Sequence, residues 1–158
     1  DNLMPYDGRK NPSGHTPFDG TITIEDAEKT AENKALVKQF VIDVLKGEHP
    51  ERLASYFNGN AYIQHNVAIA DGLDGLGNAL KAMAAQGVTM EYHKVHKVLG
   101  YGNFVLTISE GTFAGKPTSF YDLFRVENGK IAEHWDVVET IAPQSEWKHR
   151  NGKFGGLQ

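Results

Sequence analysis

The spacing of hydrophobic residues changes from a helical period to a strand period near the middle of the chain. In the first half, one apolar stripe recurs at i, i+3, i+4 and i+7 and contains Val37, Phe40, Val41 and Val44. This stripe predicts a long helix over residues 23–46, with Gly47 in position to end it. Two shorter helices are predicted, one over residues 50–57 and one that runs from the turn at Asp71 to Gly87.

The second half of the chain has the alternation and the turn residues of antiparallel strands. Four strands are predicted, over residues 88–99, 104–113, 118–126 and 130–141. Asn128-Gly129 is the clearest turn, because this pair readily adopts the positive φ angles of a type I′ hairpin. A short strand over residues 61–66 should join one edge of the sheet. Helices followed by a meander predict an α+β domain, in which three helices cover one face of a curved antiparallel sheet.

This domain is expected to span residues 23–141, between two segments of different composition. Residues 1–22 combine proline, glycine and polar residues and are expected to form an irregular arm. Residues 142–158 are expected to form a polar tail. Neither segment contributes to the predicted core.

The amino-acid composition excludes several classes of function. The 158 residues include 16 Lys and Arg against 20 Asp and Glu, a formal net charge of −4, so we expect neither a nucleic-acid nor a membrane partner. The absence of cysteine excludes disulfides, thiolate nucleophiles and thiolate metal sites. No apolar run approaches the roughly 20 residues that span a membrane, so a soluble protein is expected.

The Asn128-Gly129 turn sets the register that we expect for the last two strands. In a regular hairpin, the cross-strand pairs are Val126–Ile131, Phe124–Glu133, Asp122–Trp135 and Phe120–Val137. These residues share one face, which is mostly apolar and should pack against the helices. The opposite face then carries Tyr121, Leu123, Arg125, Ala132, His134, Asp136 and Val138.

Asp122 is the exception on the apolar face of this hairpin. An apolar environment disfavours the charged form of a carboxyl group, and such a group can exchange protons near neutral pH. Buried acids are rare without a partner or a purpose, so Asp122 is a candidate catalytic residue. The alternative is a structural role, in which Asp122 accepts a hydrogen bond from Trp135 or a backbone amide.

A second polar cluster lies on the short predicted strand. If Ile63 is buried in the core, strand alternation turns His65 inward as well, either as a catalytic residue or as a hydrogen-bonded core residue. The remaining histidines indicate no metal site. His93 and His96 are expected on opposite faces of a strand, and His15 of the arm is expected to be solvated.

Three sequence groups have an order and spacing typical of one protein family. They are Asn33-Lys34-Ala35-Leu36-Val37 with Phe40, Tyr62-Ile63-Gln64-His65-Asn66 followed by Asp71-Gly72, and Asp122-Leu123-Phe124-Arg125 leading through Asn128-Gly129-Lys130-Ile131 to Glu133-His134-Trp135-Asp136. Together they resemble the SnoaL-like family, the polyketide-cyclase branch of the nuclear-transport-factor-like superfamily, over residues 30–141. The resemblance implies a cone, in which a curved sheet wraps around a long helix and encloses a pocket.

The same resemblance implies a mechanism. In the cyclases of this family, a pocket Asp acts as general acid and base in an intramolecular aldol condensation without cofactor or metal, and by motif it falls on Asp122. The family's strand His falls on His65. We therefore expect a cofactor-independent enzyme, in which Asp122 exchanges a proton next to a carbonyl group while His65, helped by Asn66 or Tyr62, hydrogen-bonds the enolate oxygen.

The expected substrate is a small apolar carbonyl compound. Aldol cyclisation, keto-enol isomerisation and dehydration all begin with the same proton transfer. Epoxide hydrolysis of the limonene type is disfavoured, because it needs an Arg between two acids and Arg125 is expected on the face opposite Asp122. The residues expected to contact the substrate are Phe57, Tyr62, Asn66, Phe120, Phe124 and Trp135.

The alternative function is that of a non-catalytic module that binds a small ligand or a second copy of the chain. The opposite face of the predicted sheet is too apolar for open water. We therefore expect a homodimer through this face, with contacts from Tyr121, Leu123, His134 and Val138.

Overall fold

The computed structural model describes residues 5–155. Its first helical segment consists of a 3-10 turn (Ala27–Lys29), helix α1 (Thr30–Phe40) and a π turn (Val41–Leu45). It begins at Ala27 rather than near Thr23, because Asp26 has a left-handed backbone with φ 54° and makes no capping hydrogen bond. A 3-10 helix (Pro50–Tyr56), helix α2 (Gly72–Ala85) and a 3-10 turn (Gln144–Glu146) complete the helices. Within the described residues, no helix is long and apolar enough to cross a lipid bilayer.

Five strands form one curved sheet in the order β1-β5-β4-β3-β2. Strands β2 to β5 make the predicted antiparallel meander, and β1 joins the edge at β5 as predicted, but in parallel orientation. The α+β prediction is therefore confirmed, with one parallel pair in the sheet. The strands are β1 (Ile63–Gln64), β2 (Met90–Tyr101), β3 (Phe104–Phe113), β4 (Lys116–Glu127) and β5 (Lys130–Thr140).

The core lies between α1 and the concave side of the sheet, which we call the inner face. Phe40 of α1 makes edge-to-face contacts with Tyr56, Phe57 and Phe124, with ring centroids 5.3, 5.6 and 5.6 Å away. Each fully buried aromatic side chain contributes about 1.5–3 kcal/mol to stability. The apolar stripe of α1 therefore holds the helix against the face that carries Asp122.

A β-bulge in β5 overturns the predicted register of the last hairpin. Val126 pairs with Ile131 as expected, but Arg125 pairs with Glu133, so Ala132 is an extra residue. Beyond a bulge of one residue, every side chain of the strand changes face. The bulge brings Glu133 opposite Arg125, where their side chains form an ion pair with a 2.8 Å N–O distance.

The consequence is a correction to both faces of the sheet. The predicted pairs Asp122–Trp135 and Phe120–Val137 are wrong, because Asp122 pairs with Asp136 and Phe120 with Val138. His134, predicted on the outside and in a dimer contact, lies on the inner face. The inner face carries Phe120, Asp122, Phe124, His134, Asp136 and Val138, and the outer face carries Tyr121, Leu123, Arg125, Glu133, Trp135 and Val137.

Residues of the N-terminal arm pack on the outer side of the sheet and beside β1. Asn11 is buried and donates hydrogen bonds from Nδ2 to the carbonyl oxygens of Gln64 (2.7 Å) and Ile69 (2.9 Å). Farther along the arm, the indole nitrogen of Trp135 donates to the carbonyl oxygen of Asp19 at 2.9 Å. The arm therefore has an irregular backbone, but hydrogen bonds of Asn11 and Asp19 attach it to the rest of the domain.

Deletion of Ala132 tests whether the bulge determines the fold. Without the extra residue, a regular hairpin would turn His134 outward and Glu133 inward. At least two hydrogen bonds of the His134 side chain would be lost, so we expect a loss of about 3 kcal/mol or more in the free energy of unfolding, measured by urea denaturation. Ala132→Ser keeps the chain length and should change this free energy by less than about 1 kcal/mol. Wild-type stability of the deletion variant would contradict this role.

Candidate functional site

Asp122, His134 and Asp136 form a polar cluster on the inner face of β4 and β5. His134 Nε2 lies 3.0 Å from Asp122 Oδ1, and the Tyr92 hydroxyl of β2 donates to Asp122 Oδ2 at 3.1 Å. Asp136 accepts hydrogen bonds from the amide nitrogen of Asn66 at 3.0 and 2.8 Å. Asp122 is only 2% exposed, so this cluster concentrates titratable groups in a site with little water.

Gln64 fixes the orientation and tautomer of His134. Its Oε1 accepts hydrogen bonds from the backbone N–H groups of His65 and Asn66, both at 3.0 Å, and this identifies the oxygen end of the amide. The same oxygen lies 2.9 Å from His134 Nδ1, which must therefore donate. The second nitrogen, Nε2, is left to share a proton with Asp122.

The charges of the cluster shift its pKa values. Burial acts to lower the pKa of His134, but the hydrogen bond to Asp122 and the negative charges of Asp136 and Asp122 outweigh it, so this pKa is raised. The pKa of Asp136 is also raised, because burial and the charge of Asp122 outweigh the effects of His134 and Asn66. The cluster therefore raises the pKa values of both His134 and Asp136 above their ordinary values.

Two buried tyrosines border this cluster. Burial, followed by the nearby carboxylates, raises the pKa values of Tyr62 and Tyr92 well above the usual value, so both keep their phenolic protons. Tyr92 donates to Asp122, and its ring stacks on Phe120 at a centroid distance of 4.1 Å. The hydroxyl of Tyr62 accepts a hydrogen bond from Gln64 Nε2 at 3.1 Å.

Two hydroxyl groups next to the cluster are buried without a hydrogen-bond partner among the described residues. They belong to Thr107 and Ser109 of β3, which pair with Asp122 and Phe120 of β4 and so share the inner face. A buried hydroxyl without a partner costs about 1–3 kcal/mol. The inner face therefore has unused hydrogen-bonding capacity beside Asp122.

A groove of about 580 Å³ passes the free edge of β5. Because β1 ends at Gln64, the edge of β5 beyond His134 is uncovered, and the inner-face residues Asp136 and Val138 line the groove together with outer-face residues. The other lining residues include Tyr6 and Phe18 of the arm and Leu106, Leu123, Trp135 and Val137 of the sheet. The groove therefore lies mainly on the outer face, and Asp136 is the residue of the cluster that contributes to its lining.

The structure does not bring His65 and Asp122 together. β1 pairs with β5 so that Gln64 lies beside His134 and Ile63 beside Glu133. Gln64 therefore takes the inward position, while His65 points to the outer side, where it is 2.8 Å from Glu133 and stacks on Trp135 at 4.6 Å. The prediction that His65 follows a buried Ile63 inward is wrong, because Ile63 is only partly buried.

The other predicted contacts divide between the two faces. Phe57, Tyr62, Phe120 and Phe124 lie in the core around the cluster, and Asn66 contacts Asp136. Trp135 lies on the outer face, next to His65 rather than to Asp122. Sequence reasoning missed His134, Gln64 and Tyr92. The spacing of His134 and Asp136, two apart on a strand, was the available signal, but the bulge decided their face.

On the outer face, Glu133 is the centre of a separate ionic network. It is buried, and its carboxylate accepts from Arg125 Nε at 2.8 Å and from the backbone N–H of Thr21 at 3.2 Å. Burial acts to raise the pKa of Glu133, but hydrogen bonds from Arg125, His65 and Thr21 outweigh it and lower this pKa. Arg125 is thus outside the inner cluster, as predicted.

Two groups of described residues have the donor atoms of a metal site. One is the inner cluster of Asp122, His134 and Asp136, and the other is His15, Asp19 and His65 at the junction of arm and sheet. In each group the candidate ligand atoms lie within 4.8 Å of one another.

The pH dependence of stability tests the environment of Asp136. A raised pKa in the folded state means that the carboxyl group stabilises the fold below its unfolded pKa, and that this contribution is lost as pH rises toward the folded pKa. Asp136→Asn removes this titration, so its stability relative to wild type should increase from pH 4 to pH 7 in urea denaturation. The exposed Asp74→Asn is the control and should show no such trend. A wild-type advantage that grows over this range would contradict the assignment.

Comparisons with known proteins agree with this architecture. A proposed ketosteroid isomerase from Kribbella flavida DSM 17836 superposes with a TM-score of 0.61 at 13% identity, over 80% of this chain and 96% of that one. An NTF2-like protein from Mesorhizobium loti superposes with a TM-score of 0.56 at 19% sequence identity, over 75% of this chain and 99% of that one. An LEH-like epoxide hydrolase from M. tuberculosis superposes with a TM-score of 0.50 at 23% sequence identity, over 70% of this chain and 85% of that one. At these identities, the likeness concerns the fold.

The sequence comparison identifies the family. No curated protein sequence matches the chain significantly. The family model of the SnoaL-like domain, however, matches residues 37–134, a segment that begins in α1 and ends at His134 of β5. This is more than half of the chain and includes Asp122, Gln64 and Tyr92. The chain therefore belongs to the SnoaL-like domain family, on an NTF2-like α+β fold.

Proposed function

We propose that this protein is a cofactor-independent acid/base enzyme that acts on the carbon next to a carbonyl group of a small apolar molecule. The observation that carries this proposal is the hydrogen bond between Asp122 and His134, 3.0 Å long and buried on the inner face of the sheet. His134 replaces His65 as the partner of Asp122. The membership in the SnoaL-like family supports the proposal, since the fold also hosts isomerases and epoxide hydrolases.

The proton transfer would take place between the substrate and Asp122. The C–H bond next to the carbonyl breaks, the proton forms an O–H bond with the Asp122 carboxylate, and the electron pair moves to the carbonyl oxygen. Protonated Asp122 no longer needs two donors, so Nε2–H of His134 or the hydroxyl of Tyr92 becomes available to the enolate oxygen. Gln64 holds the imidazole in place during this exchange.

The surroundings of the cluster suit a small apolar carbonyl compound. Phe120 and Phe124 flank Asp122 along β4, and the hydroxyls of Thr107 and Ser109 offer hydrogen bonds to a polar substituent. Trp135 lines the same groove as Asp136, so it keeps a proposed role in substrate binding. Aldol cyclisation, isomerisation and dehydration would each use the same first step.

Solvent deuterium exchange tests the proton transfer without a known natural substrate. The protein is incubated in D₂O with 2-tetralone or acetophenone, and the loss of the proton signal next to the carbonyl is followed by NMR. Wild type should accelerate this exchange over buffer, and Asp122→Asn should reduce the acceleration by about 10²-fold or more. His134→Gln should also reduce it, because the enolate oxygen loses a donor.

Asp74→Asn, an exposed substitution on α2, is the matched control and should exchange at the wild-type rate. Each variant should keep its circular dichroism spectrum, so that a loss of activity is not a loss of fold. Equal exchange rates for wild type and Asp122→Asn would refute the proposed role of Asp122.

A second candidate function is a non-catalytic module that dimerises through the outer face. The exposed side chain of Val137 and the apolar groove beside Tyr121 and Leu123 favour it. His134 cannot contribute to this contact, because its side chain is buried on the inner face. Residues Trp135 and Val137 take its place on the surface offered to a partner.

Light scattering after size exclusion tests the homodimer. A chain of 17.4 kDa should elute with twice this mass at micromolar concentration, and Val137→Lys should shift it toward the monomer by placing a charge in the contact. Leu80→Lys, at an exposed apolar residue of α2, should leave the mass unchanged. A monomeric wild type over this concentration range would rule out the dimer.

A further inference from the structure

We propose that His15, Asp19 and His65 bind a divalent transition-metal ion, which fastens the N-terminal arm to the outer face of the sheet. His15 and Asp19 are neighbours in the arm, and His65 joins them only because the arm packs beside β1. Their candidate ligand atoms lie within 4.8 Å of one another. This site is separate from the Asp122–His134 cluster, which lies on the opposite face.

Hydrogen-bond acceptors face both ring nitrogens of His65, and this arrangement requires a positive charge on or beside the ring. Its Nδ1 faces two oxygens that cannot donate, the carbonyl oxygen of Thr16 at 2.8 Å and Oδ1 of Asp19 at 2.9 Å. On the other side of the ring, Nε2 lies 2.8 Å from Glu133 Oε1. A neutral imidazole has a single N–H and cannot donate in both directions. Either a second proton or a metal ion must therefore lie between Nδ1 and the oxygens.

His15 favours the metal ion over the proton. Its ring centroid lies 5.2 Å from that of His65, at the same junction. A second proton on His65 would need only the oxygens of Thr16 and Asp19, whereas a metal ion uses a second imidazole as a further ligand. His15 also has a carboxylate partner of its own, with Nε2 3.1 Å from Asp71 Oδ2.

The neighbours of His65 have the arrangement found around metal-bound histidines. A histidine ligand usually donates its other N–H to a carboxylate, which fixes the ring and strengthens the ligand nitrogen. Glu133 is that carboxylate here, and it is itself held by Arg125 at 2.8 Å. The side chain of His65 is fully buried and stacked on Trp135, so its Nδ1 has a fixed direction.

The arm holds the other two ligands in place. The backbone N–H of His15 donates to Asn11 Oδ1 at 2.8 Å, and buried Asn11 is anchored to the carbonyl oxygen of Gln64. Asp19 is fixed through its carbonyl oxygen, which accepts from Trp135. The side chains of His15 and Asp19 are 33% and 46% exposed, so an ion can enter from solvent.

Two imidazole nitrogens and one carboxylate oxygen form a ligand set that zinc and other first-row divalent ions accept. A tetrahedral zinc ion with bonds of about 2.0–2.1 Å places its ligand atoms roughly 3.3 Å apart. The His65–Asp19 separation of 2.9 Å therefore has to widen slightly, and the exposed side chain of Asp19 can provide this movement.

The test uses the full chain after dialysis against a chelator, with Zn²⁺ and Co²⁺ as probes. Excess ZnCl₂ should raise the Tm of wild type by roughly 5 °C, because an ion that binds only the folded state stabilises it. CoCl₂ should give a visible absorption band that saturates at one ion per chain. His15→Gln and Asp19→Asn should each abolish both responses. Both changes are at partly exposed side chains, so these variants should fold.

Two further variants locate the ion. His49→Gln, at an exposed histidine paired with Glu51, should respond to Zn²⁺ like wild type. Asp136→Asn, on the inner face, should respond like wild type as well. A wild type without a Zn²⁺ response would overturn the proposal. So would a response that Asp136→Asn abolishes or that Asp19→Asn leaves intact. These readouts are independent of any activity on the inner face.

Discussion

The β-bulge at Ala132 is the constraint on which both polar networks of this protein depend. A strand alternates its side chains strictly, so one extra residue moves everything beyond it to the other face. Glu133 consequently meets Arg125 on the outer face, while His134 and Asp136 join Asp122 inside. In the bulged hairpin these buried charged groups have partners, since Glu133 pairs with Arg125 and His134 with Asp122. Polar pairing, rather than hydrophobic burial, explains the register of this hairpin.

The inner network is a chain of groups in which each fixes the next. Backbone amides orient the Gln64 side chain, Gln64 sets the proton on Nδ1 of His134, and Nε2 of His134 then faces Asp122. Such a chain leaves one proton to be shared between an acid and a base in an apolar setting. The chain joins three strands, β1, β4 and β5, of which β1 is distant in sequence from the other two. The fold alone would not imply it, because related folds host different activities.

The outer network ties the arm to the sheet. Glu133 accepts from Arg125, Thr21 and His65, so it links β4, β5, β1 and the arm through a single buried carboxylate. Trp135 covers His65 and also donates to the arm. Removing a partner of a buried charge costs about 3–5 kcal/mol, so these contacts are costly to lose. The histidine that resembles a family catalytic residue in sequence thus acts at a junction of structural elements.

The sequence by itself determined the class of fold, the elements and the family. The apolar stripe of α1, the turn residues and the alternating strands are local features. These features were sufficient to predict the helices and the meander and to put Asp122 on the sheet face that packs against α1. The partner of Asp122 could not be determined in this way, because one unpaired residue, Ala132, changes the face of His134 without changing the alternation that the sequence displays. The meeting of His15, Asp19 and His65 was equally hidden, since it depends on how the arm packs across the sheet. Tertiary structure decided these contacts because the energies that select them, ion pairing and the burial of polar groups, arise between residues that are distant along the chain.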